Sequence, residues 1–317
     1  MAASFAYVTT AAPVAISKIE TSTNTVVATI DLGDTSEIAG LAVTPNGARA
    51  YVATNDRGFH GTIKVLDTAA NTVVATIRSG FGLNGITVAP DGKRAYVTDD
   101  RSLFAIDTMN NNVVAAVQFD SPPVGVATDG KRVYVPNAAQ QAGAMNLRVV
   151  DASTNAVVAT APLNGSADGI ALTPDGTRLY LSTSEGGGAT LGLQVIDTAT
   201  NKVTTAEVPG TGSGHGVVVA PDGKRAYYLH GDVPTATPLT LSTIDTATNK
   251  GLASLELEVG SFDEGEFLIG MAVTPDGKHL YLANPISRKV SVIDTATNSV
   301  STEIDVGGTP VDIAISA

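Results

Sequence analysis

The chain has 317 residues, 43% hydrophobic and 16% charged, so it contains ample apolar material for a packed core and is not a disordered chain. Its 31 acidic residues against 19 basic ones give a formal net charge of −12, which opposes binding to nucleic acid. The absence of cysteine excludes disulfides, thiolate chemistry and cysteine-bound metal or haem. No apolar run reaches the roughly 18 residues that a spanning helix needs, so we expect no membrane span.

Three short motifs recur from one end of the chain to the other. A strand-like unit is built on Tyr7, Tyr51, Tyr96, Tyr134, Tyr180, Tyr227 and Tyr281. A second unit, two apolar residues and then Asp, ends at Asp67, Asp107, Asp151, Asp197, Asp245 and Asp294, with Glu20 in the first copy. A Pro-Asp/Asn-Gly turn begins at Pro45, Pro90, Pro174, Pro221 and Pro275, and is shortened to Thr128-Asp129-Gly130 in one copy. Seven copies of a unit of about 45 residues indicate a repeat architecture.

Each repeat contains four short apolar runs separated by turn residues. The Pro-Asp-Gly turn joins the first run to the second, and an Asp-Thr-Ala-Thr-Asn turn joins the third to the fourth. Helical periodicity is absent. The sequence therefore predicts an all-β fold, a seven-bladed β-propeller of four-stranded antiparallel blades, with residues 1–317 in a single domain.

The two ends of the chain predict how the ring closes. The chain begins in a second strand, Ala6–Thr10, and finishes with a first strand, Val311–Ser316. We expect these strands to pair in one blade, because that pairing removes two open sheet edges.

The repeats resemble those of the YVTN-type family of β-propellers. The resemblance is carried by Ala95-Tyr96-Val97-Thr98-Asp99, by Thr274-Pro275-Asp276-Gly277-Lys278 and by Val292–Asn298, and it covers essentially the whole chain. It implies an extracytoplasmic or cell-surface protein of a prokaryote, although the first residues do not read as a signal peptide and leave a cytoplasmic location open. Related seven-bladed propellers include lactonases and a metal-dependent lyase, which is an analogy of fold.

The repeats differ most at the end of the disc opposite the two regular turns, which we call the variable face. The residues expected to ring the axis there, each just before the start of a first strand, are Ala39, Asn84, Val124, Asp168, His215, Ile269 and Asp312. Asp168 can orient His215 for proton transfer as a catalytic pair. Asp168, His215 and Asp312 could instead hold a divalent cation as a cofactor. Alternatively, the polar members of the ring only bind water.

Further candidate ligand-binding residues map to the variable face. His60 and His230 lie in its loops, and an acidic insertion carries Phe262 and Phe267 on either side of Asp263, Glu264 and Glu266. These side chains could bind a cation or an amine, with the two phenylalanines as a partial lid. The alternative is a solubilising acidic surface.

Two functions remain open at this point. The first is a binding protein, expected to be a monomer, that presents its variable face and axial mouth to a small molecule or a cell-surface partner. The alternative is a lactonase-like hydrolase or metal-assisted lyase, with His215 as general acid or base, Asp168 as its orienter, and Asn84 and Asp312 as positioning groups.

Overall fold

The computed structural model describes residues 4–33, 37–138, 144–184, 192–209, 212–231, 239–257, 269–284 and 287–316. These residues form seven antiparallel sheets of four strands each, as the repeats predict. They contain no helix that is long and apolar enough to cross a membrane. We number the sheets as blades 1–7 in the order in which the chain visits them.

Apart from the closing strand β28, the first four blades are built from the N-terminal half of the chain. Their strands, given from the first to the last in each sheet, are β28 (Pro310–Ile315), β1 (Phe5–Ala11), β2 (Val14–Glu20) and β3 (Thr25–Asp31) in blade 1; β4 (Glu37–Val43), β5 (Arg49–Asn55), β6 (His60–Asp67) and β7 (Thr72–Phe81) in blade 2; β8 (Gly85–Val88), β9 (Arg94–Thr98), β10 (Ser102–Asp107) and β11 (Asn112–Gln118) in blade 3; and β12 (Ala127–Thr128), β13 (Arg132–Asn137), β14 (Ala144–Asp151) and β15 (Ala156–Asn164) in blade 4.

The last three blades follow the same order. Their strands are β16 (Ser166–Leu172), β17 (Arg178–Ser184), β18 (Leu193–Asp197) and β19 (Val203–Thr205) in blade 5; β20 (Ser213–Val219), β21 (Arg225–Gly231), β22 (Thr240–Asp245) and β23 (Lys250–Glu256) in blade 6; and β24 (Met271–Val273), β25 (His279–Asn284), β26 (Lys289–Asp294) and β27 (Ser299–Asp305) in blade 7.

Blade 1 closes the ring with strands from both ends of the chain. Strand β28 pairs antiparallel with β1, with Ala6 opposite Ile315 and Val8 opposite Ile313. The predicted closure is therefore confirmed.

The two regular turns of a blade lie at the same end of the disc. In blade 2 the hydroxyl of Thr68, in the turn after β6, donates to the carbonyl of Gly47, in the turn after β4, at 2.5 Å. The equivalent threonines of blades 3, 5, 6 and 7 make the same bond. The variable face is therefore the opposite end, where β5 leads into β6.

Among the described residues the hydrophobic core consists of seven clusters, each at the junction of two neighbouring blades. The repeated tyrosines are buried in these junctions, and several reach across them. The Tyr51 hydroxyl donates to Asn111 Oδ1 of the next blade at 3.0 Å, and Tyr180 does the same to Asn249 at 2.9 Å. Because each blade needs its neighbour to bury its apolar faces, the ring is stabilised as a whole.

Candidate functional site

An axial cavity of about 410 Å³ lies where the first strands of the seven blades converge. Its wall contains every residue that the sequence places around the axis: Ala39, Asn84, Val124, Asp168, His215, Ile269 and Asp312. The titratable side chains of this wall are Asp168, His215 and Asp312, and the described lining includes neither lysine nor arginine. The cavity is therefore electronegative.

Glycines let the first strands approach one another around this cavity. A Cβ placed on Gly169 would lie 3.0 Å from the Cα of Gly216 in the next blade, which is closer than side chains normally allow. Glycine occupies the same position in blades 2 to 7. Tight packing of the backbones makes the wall a fixed frame for the few polar side chains on it.

β-Bulges turn two of these side chains out of the regular alternation of their strands. The pairing of β16 with β17 skips Asp168, between Ala167 and Gly169, and the pairing of β20 with β21 skips His215. A bulged residue is unpaired in the ladder, and its side chain is re-aimed. The two bulges lie in adjacent blades, 5 and 6, so the carboxylate of Asp168 and the imidazole of His215 belong to neighbouring parts of the cavity wall.

The His215 ring is anchored to its own blade. It is half-buried, and its Nε2 lies 3.0 Å from the carbonyl oxygen of Gly231. Because a carbonyl only accepts, Nε2 carries the proton in this contact and Nδ1 is the basic nitrogen of the neutral ring. The Asp168 side chain, by contrast, is exposed. Asn84 is half-buried, and its amide donates to the carbonyl oxygen of Pro123 at 3.0 Å.

Asp312 differs from its predicted place by one residue. Ile313 pairs with Val8 as Leu41 pairs with Val52, so Asp312 stands where the other six blades have glycine, and Val311 takes the position before it. Comparison of the repeats assigns Asp312 to the wrong position because its strand lacks the glycine that marks the register in the other six first strands.

Both carboxylate oxygens of Asp312 accept backbone hydrogen bonds. Oδ2 accepts from the N–H of Leu41 in blade 2, and Oδ1 from that of Ile313, each at 2.8 Å. Asp312 thus links the closing strand to the next blade. Burial raises its pKa to about 6, although these two bonds oppose the shift.

The raised pKa of Asp312 predicts a distinct dependence of stability on pH. The folded chain keeps this proton at pH values where the unfolded chain has lost it, so this contribution is complete below about pH 4 and is lost as the pH rises through about 6. We expect the free energy of unfolding, measured with urea between pH 4.5 and 7, to fall with pH by up to about 1.4 kcal/mol per unit from this group.

The Asp312→Asn variant should lack the part of the pH dependence of the free energy of unfolding that comes from Asp312. Asp151→Asn is the control, because hydrogen bonds from Ser153 and Thr154 lower the pKa of Asp151 to about 2. Its contribution is present above the ordinary pKa of aspartate and is lost only as the pH falls towards 2. Parallel pH profiles for the wild type and Asp312→Asn would contradict the assignment.

The predicted metal site does not assemble. In the part of the chain that the structure describes, no three histidine, aspartate or glutamate side chains are grouped so that they could hold a metal ion. Asp168, His215 and Asp312 therefore line one cavity without forming a ligand set, and Asp312 is engaged with two backbone N–H groups.

The other predicted ligand-binding residues lie away from the described cavity wall. His60 is exposed at the start of β6, where its Nδ1 contacts Asp56 at 3.0 Å and its ring lies 4.9 Å from that of Phe81. His230 is buried in β21, with Nε2 at 2.9 Å from the Ser242 hydroxyl. Phe262 and Phe267 lie outside the described residues, with the rest of the acidic insertion.

A larger groove, about 530 Å³, opens at the opposite end of the disc between blades 3 and 4. Its charged residues, Asp91, Lys93, Arg94, Lys131 and Asp151, belong to turns that recur around the ring. The groove therefore contains side chains of both charges. We therefore place the candidate site in the axial cavity, where the repeats differ in chemistry.

One residue near the cavity was not identified when the seven repeats were compared with one another. Tyr228 occupies a position that is Val or Leu in the other six repeats, namely Val8, Val52, Val97, Val135, Leu181 and Leu282. It is 1% exposed, and its ring stacks on that of His230 at 4.8 Å. The sequence does show this difference. Tyr227 is followed by Tyr228, whereas the corresponding tyrosine of each other repeat is followed by an aliphatic residue.

Comparisons with known proteins support the architecture. No family model matches the chain. A stretch of 114 residues is 31% identical to the "Seven-bladed beta-propeller protein Rv1057" of Mycobacterium tuberculosis, covering 35% of this chain and 28% of that protein, so the match spans less than a third of the relative.

Two solved structures share the fold at 18% identity. A chain of Kuenenia stuttgartiensis hydrazine synthase superposes with a TM-score of 0.71 over 88% of this chain and 89% of that one. A functionally unknown protein from Desulfotomaculum acetoxidans superposes with a TM-score of 0.78 over 98% of both chains. Together with the ring of seven four-stranded sheets, these findings identify the chain as a seven-bladed β-propeller.

Proposed function

We propose that this propeller is a binding protein whose axial cavity takes a small ligand bearing an ammonium or other cationic group. The observation that carries the proposal is the wall of the cavity, which holds Asp168 and Asp312 and, among the described residues, neither lysine nor arginine. An opposite charge within a few ångströms of a carboxylate in a cleft is attracted more strongly than in water. The net charge of −12 adds long-range attraction for cations.

The rigidity of the wall supports a binding role. Asp168, His215 and Asp312 stand on strands whose backbones pack at close distance, and Asn84 directly precedes β8, so little order has to be gained when a ligand binds. The proposal includes membership of the YVTN-type family. That resemblance implies an extracytoplasmic or cell-surface location. The support for this assignment is the resemblance of the motifs, and the relative supports the propeller fold.

The test is titration with three probes of similar size, followed by NMR or calorimetry. We expect propylamine, a cation, to bind more tightly than propanol, and propionate to show no binding. Asp168→Asn should weaken propylamine binding about tenfold, because it removes the charge of a charge-assisted hydrogen bond. The control, Asp305→Asn, changes an exposed carboxylate on the outer strand β27 and should leave the affinity unchanged. Equal binding of the three probes would refute the proposal.

A hydrolase or lyase is the second candidate. It is favoured by two acid–base groups that line the same cavity, the imidazole of His215 and the carboxyl of Asp312, and burial raises the pKa of Asp312 to about 6. Turnover of small lactones that is lost in His215→Gln would establish it. Absence of turnover in the wild type leaves the binding role.

A further inference from the structure

Blade 1 places a carboxylate at a position of the ring where the other six blades have none. Asp312 stands where those blades carry Gly40, Gly85, Gly125, Gly169, Gly216 and Gly270. Its side chain is half-buried and lines the axial cavity. A blade can therefore be built without a carboxylate at this position, and the carboxylate of Asp312 is open to whatever the cavity holds.

No cationic side chain balances the charge of Asp312. Its two oxygens accept from the backbone N–H groups of Leu41 and Ile313, which are neutral donors. None of the ion pairs among the described residues includes Asp312, and the described lining of the cavity contains neither lysine nor arginine. A carboxylate that is shielded from water and lacks a countercharge destabilises the protein, and a cationic group of a ligand would offset this cost.

Asp312 and Asp168 lie across the axis from each other. The first strands contact one another in chain order around the ring, so blades 6 and 7 separate blade 5 from blade 1 on one side, and blades 2, 3 and 4 separate them on the other. In the register of the first strands, Asp168 directly precedes the glycine position that Asp312 occupies. The two carboxylates are therefore at nearly the same level of the cavity but on different sides of it, and each can bind its own positive charge.

The wall between the two carboxylates is largely aliphatic. The residue after the glycine in each of blades 2 to 7 lines the cavity, and this set is Leu41, Ile86, Val126, Ile170, Val217 and Met271. Several of these side chains lie against the first strand of the preceding blade. The Ile86 Cγ2 atom is 3.1 Å from the Cβ position on Gly40, and the Met271 Cε atom is equally close to that on Gly216. Such a surface favours contact with methylene groups.

We propose that the axial cavity binds an α,ω-diamine, with one ammonium group on Asp168, the other on Asp312 and the methylene chain against the aliphatic wall. This inference rests on the proposed function and names the ligand class more closely. Each ammonium group donates a charge-assisted hydrogen bond to its carboxylate. Binding requires Asp312 in its ionised form, so the proton that this carboxyl holds at lower pH passes to the solvent.

The experiment is calorimetric titration with 1,4-diaminobutane and 1,5-diaminopentane at about pH 8, where Asp312 is ionised and an ordinary histidine is neutral. The matched monoamines are pentylamine and hexylamine, in which a methyl group replaces one ammonium group. At least one diamine should bind the wild type about tenfold more tightly than its monoamine, the effect of one added charge-assisted hydrogen bond. The preference should vanish in Asp312→Asn and persist in Asp305→Asn, which changes an exposed carboxylate on β27.

A measurement on the wild-type chain decides the case in which Asp312→Asn does not fold. The ¹³C resonance of the Asp312 carboxyl reports its pKa, which should fall by about one unit or more when the diamine binds and by much less with pentylamine. The other titratable side chains of the described wall are Asp168 and His215. Tyr7 of β1 and Glu37 of β4, the strands that flank Asp312, do not line the cavity. The resonance of Asp312 separates its titration from theirs.

Equal affinity of the diamines and their monoamines for the wild type would overturn the inference. So would a diamine preference that survives in Asp312→Asn, or a pKa of Asp312 that does not respond to the diamine. In each of these cases Asp312 serves only to link the closing strand to Leu41, and the amine site stands. If neither the diamines nor the monoamines bind to the wild type, the proposed function fails, and this inference fails with it.

Discussion

Removal of residues 310–317 should lower the melting temperature by about 10 °C or more. The deletion removes β28, and with it the ladder to β1 and the buried side chain of Ile313. It also removes the Asp312 link to Leu41, so blade 1 loses its bonds to blade 2 through that carboxylate. Losing several kcal/mol of packing and hydrogen bonding shifts the melting temperature of a large domain by this amount.

Calorimetry of the truncated and full-length chains measures the effect. The control is a synthetic peptide of residues 309–317 added to the truncated chain, since a strand supplied in trans can occupy the same edge. We expect the peptide to restore most of the lost stability in a concentration-dependent manner. A truncated chain that melts with the full-length protein would show that the ring does not depend on its closing strand.

The number and closure of the blades could be predicted because the turns impose local requirements. Asn at the end of the Asp-Thr-Ala-Thr-Asn turn adopts a left-handed conformation in all seven repeats, with φ between 53° and 58°. Few side chains tolerate this conformation, and asparagine is among them. The same residue type therefore recurs, and the repeats can be counted from the sequence.

The wall of the cavity could be predicted only in part. Asn84, Asp168 and His215 were placed correctly around the axis because a glycine follows each of them and marks the register. In blade 1 the marker is missing, so Asp312 was assigned one residue away from its true position. A shift of one residue changes which face of a strand a side chain occupies.

Tyr228 fills the space beside Gly214, where a Cβ would lie 2.9 Å from its hydroxyl, and this compensation could not be recognised from either position alone. A glycine near the start of one strand and a second tyrosine within the next strand are each common on their own. Only the pairing of β20 with β21 brings the space left by Gly214 to the Tyr228 hydroxyl. Compensation between strands is a property of packing, so it becomes visible when the register is known.

Substitution of alanine for the glycine that precedes or opens a first strand is expected to have very different effects in different blades. A Cβ on Gly270 would lie 2.4 Å from the Cα of Asp312 and 2.5 Å from the nitrogen of Ile313. These atoms are backbone of the closing strand and cannot move without disturbing its pairing with β1. We expect Gly270→Ala to destabilise the protein by about 3 kcal/mol or more, the upper range for overpacking.

Gly85→Ala is the matched control, because the equivalent Cβ in blade 3 meets its nearest neighbour, the Cα of Gly125, at 3.4 Å, an ordinary contact. Urea unfolding should separate the two variants clearly, with Gly85→Ala within about 1 kcal/mol of the wild type. The displaced Asp312 should also lose its bond to Leu41, so the pH dependence between 4.5 and 7 should flatten in Gly270→Ala alone. Equal stability of the two variants would mean that Gly270 of blade 7 is not in close contact with the backbone of the closing strand. The closure of the ring would then rest on the β28–β1 ladder by itself.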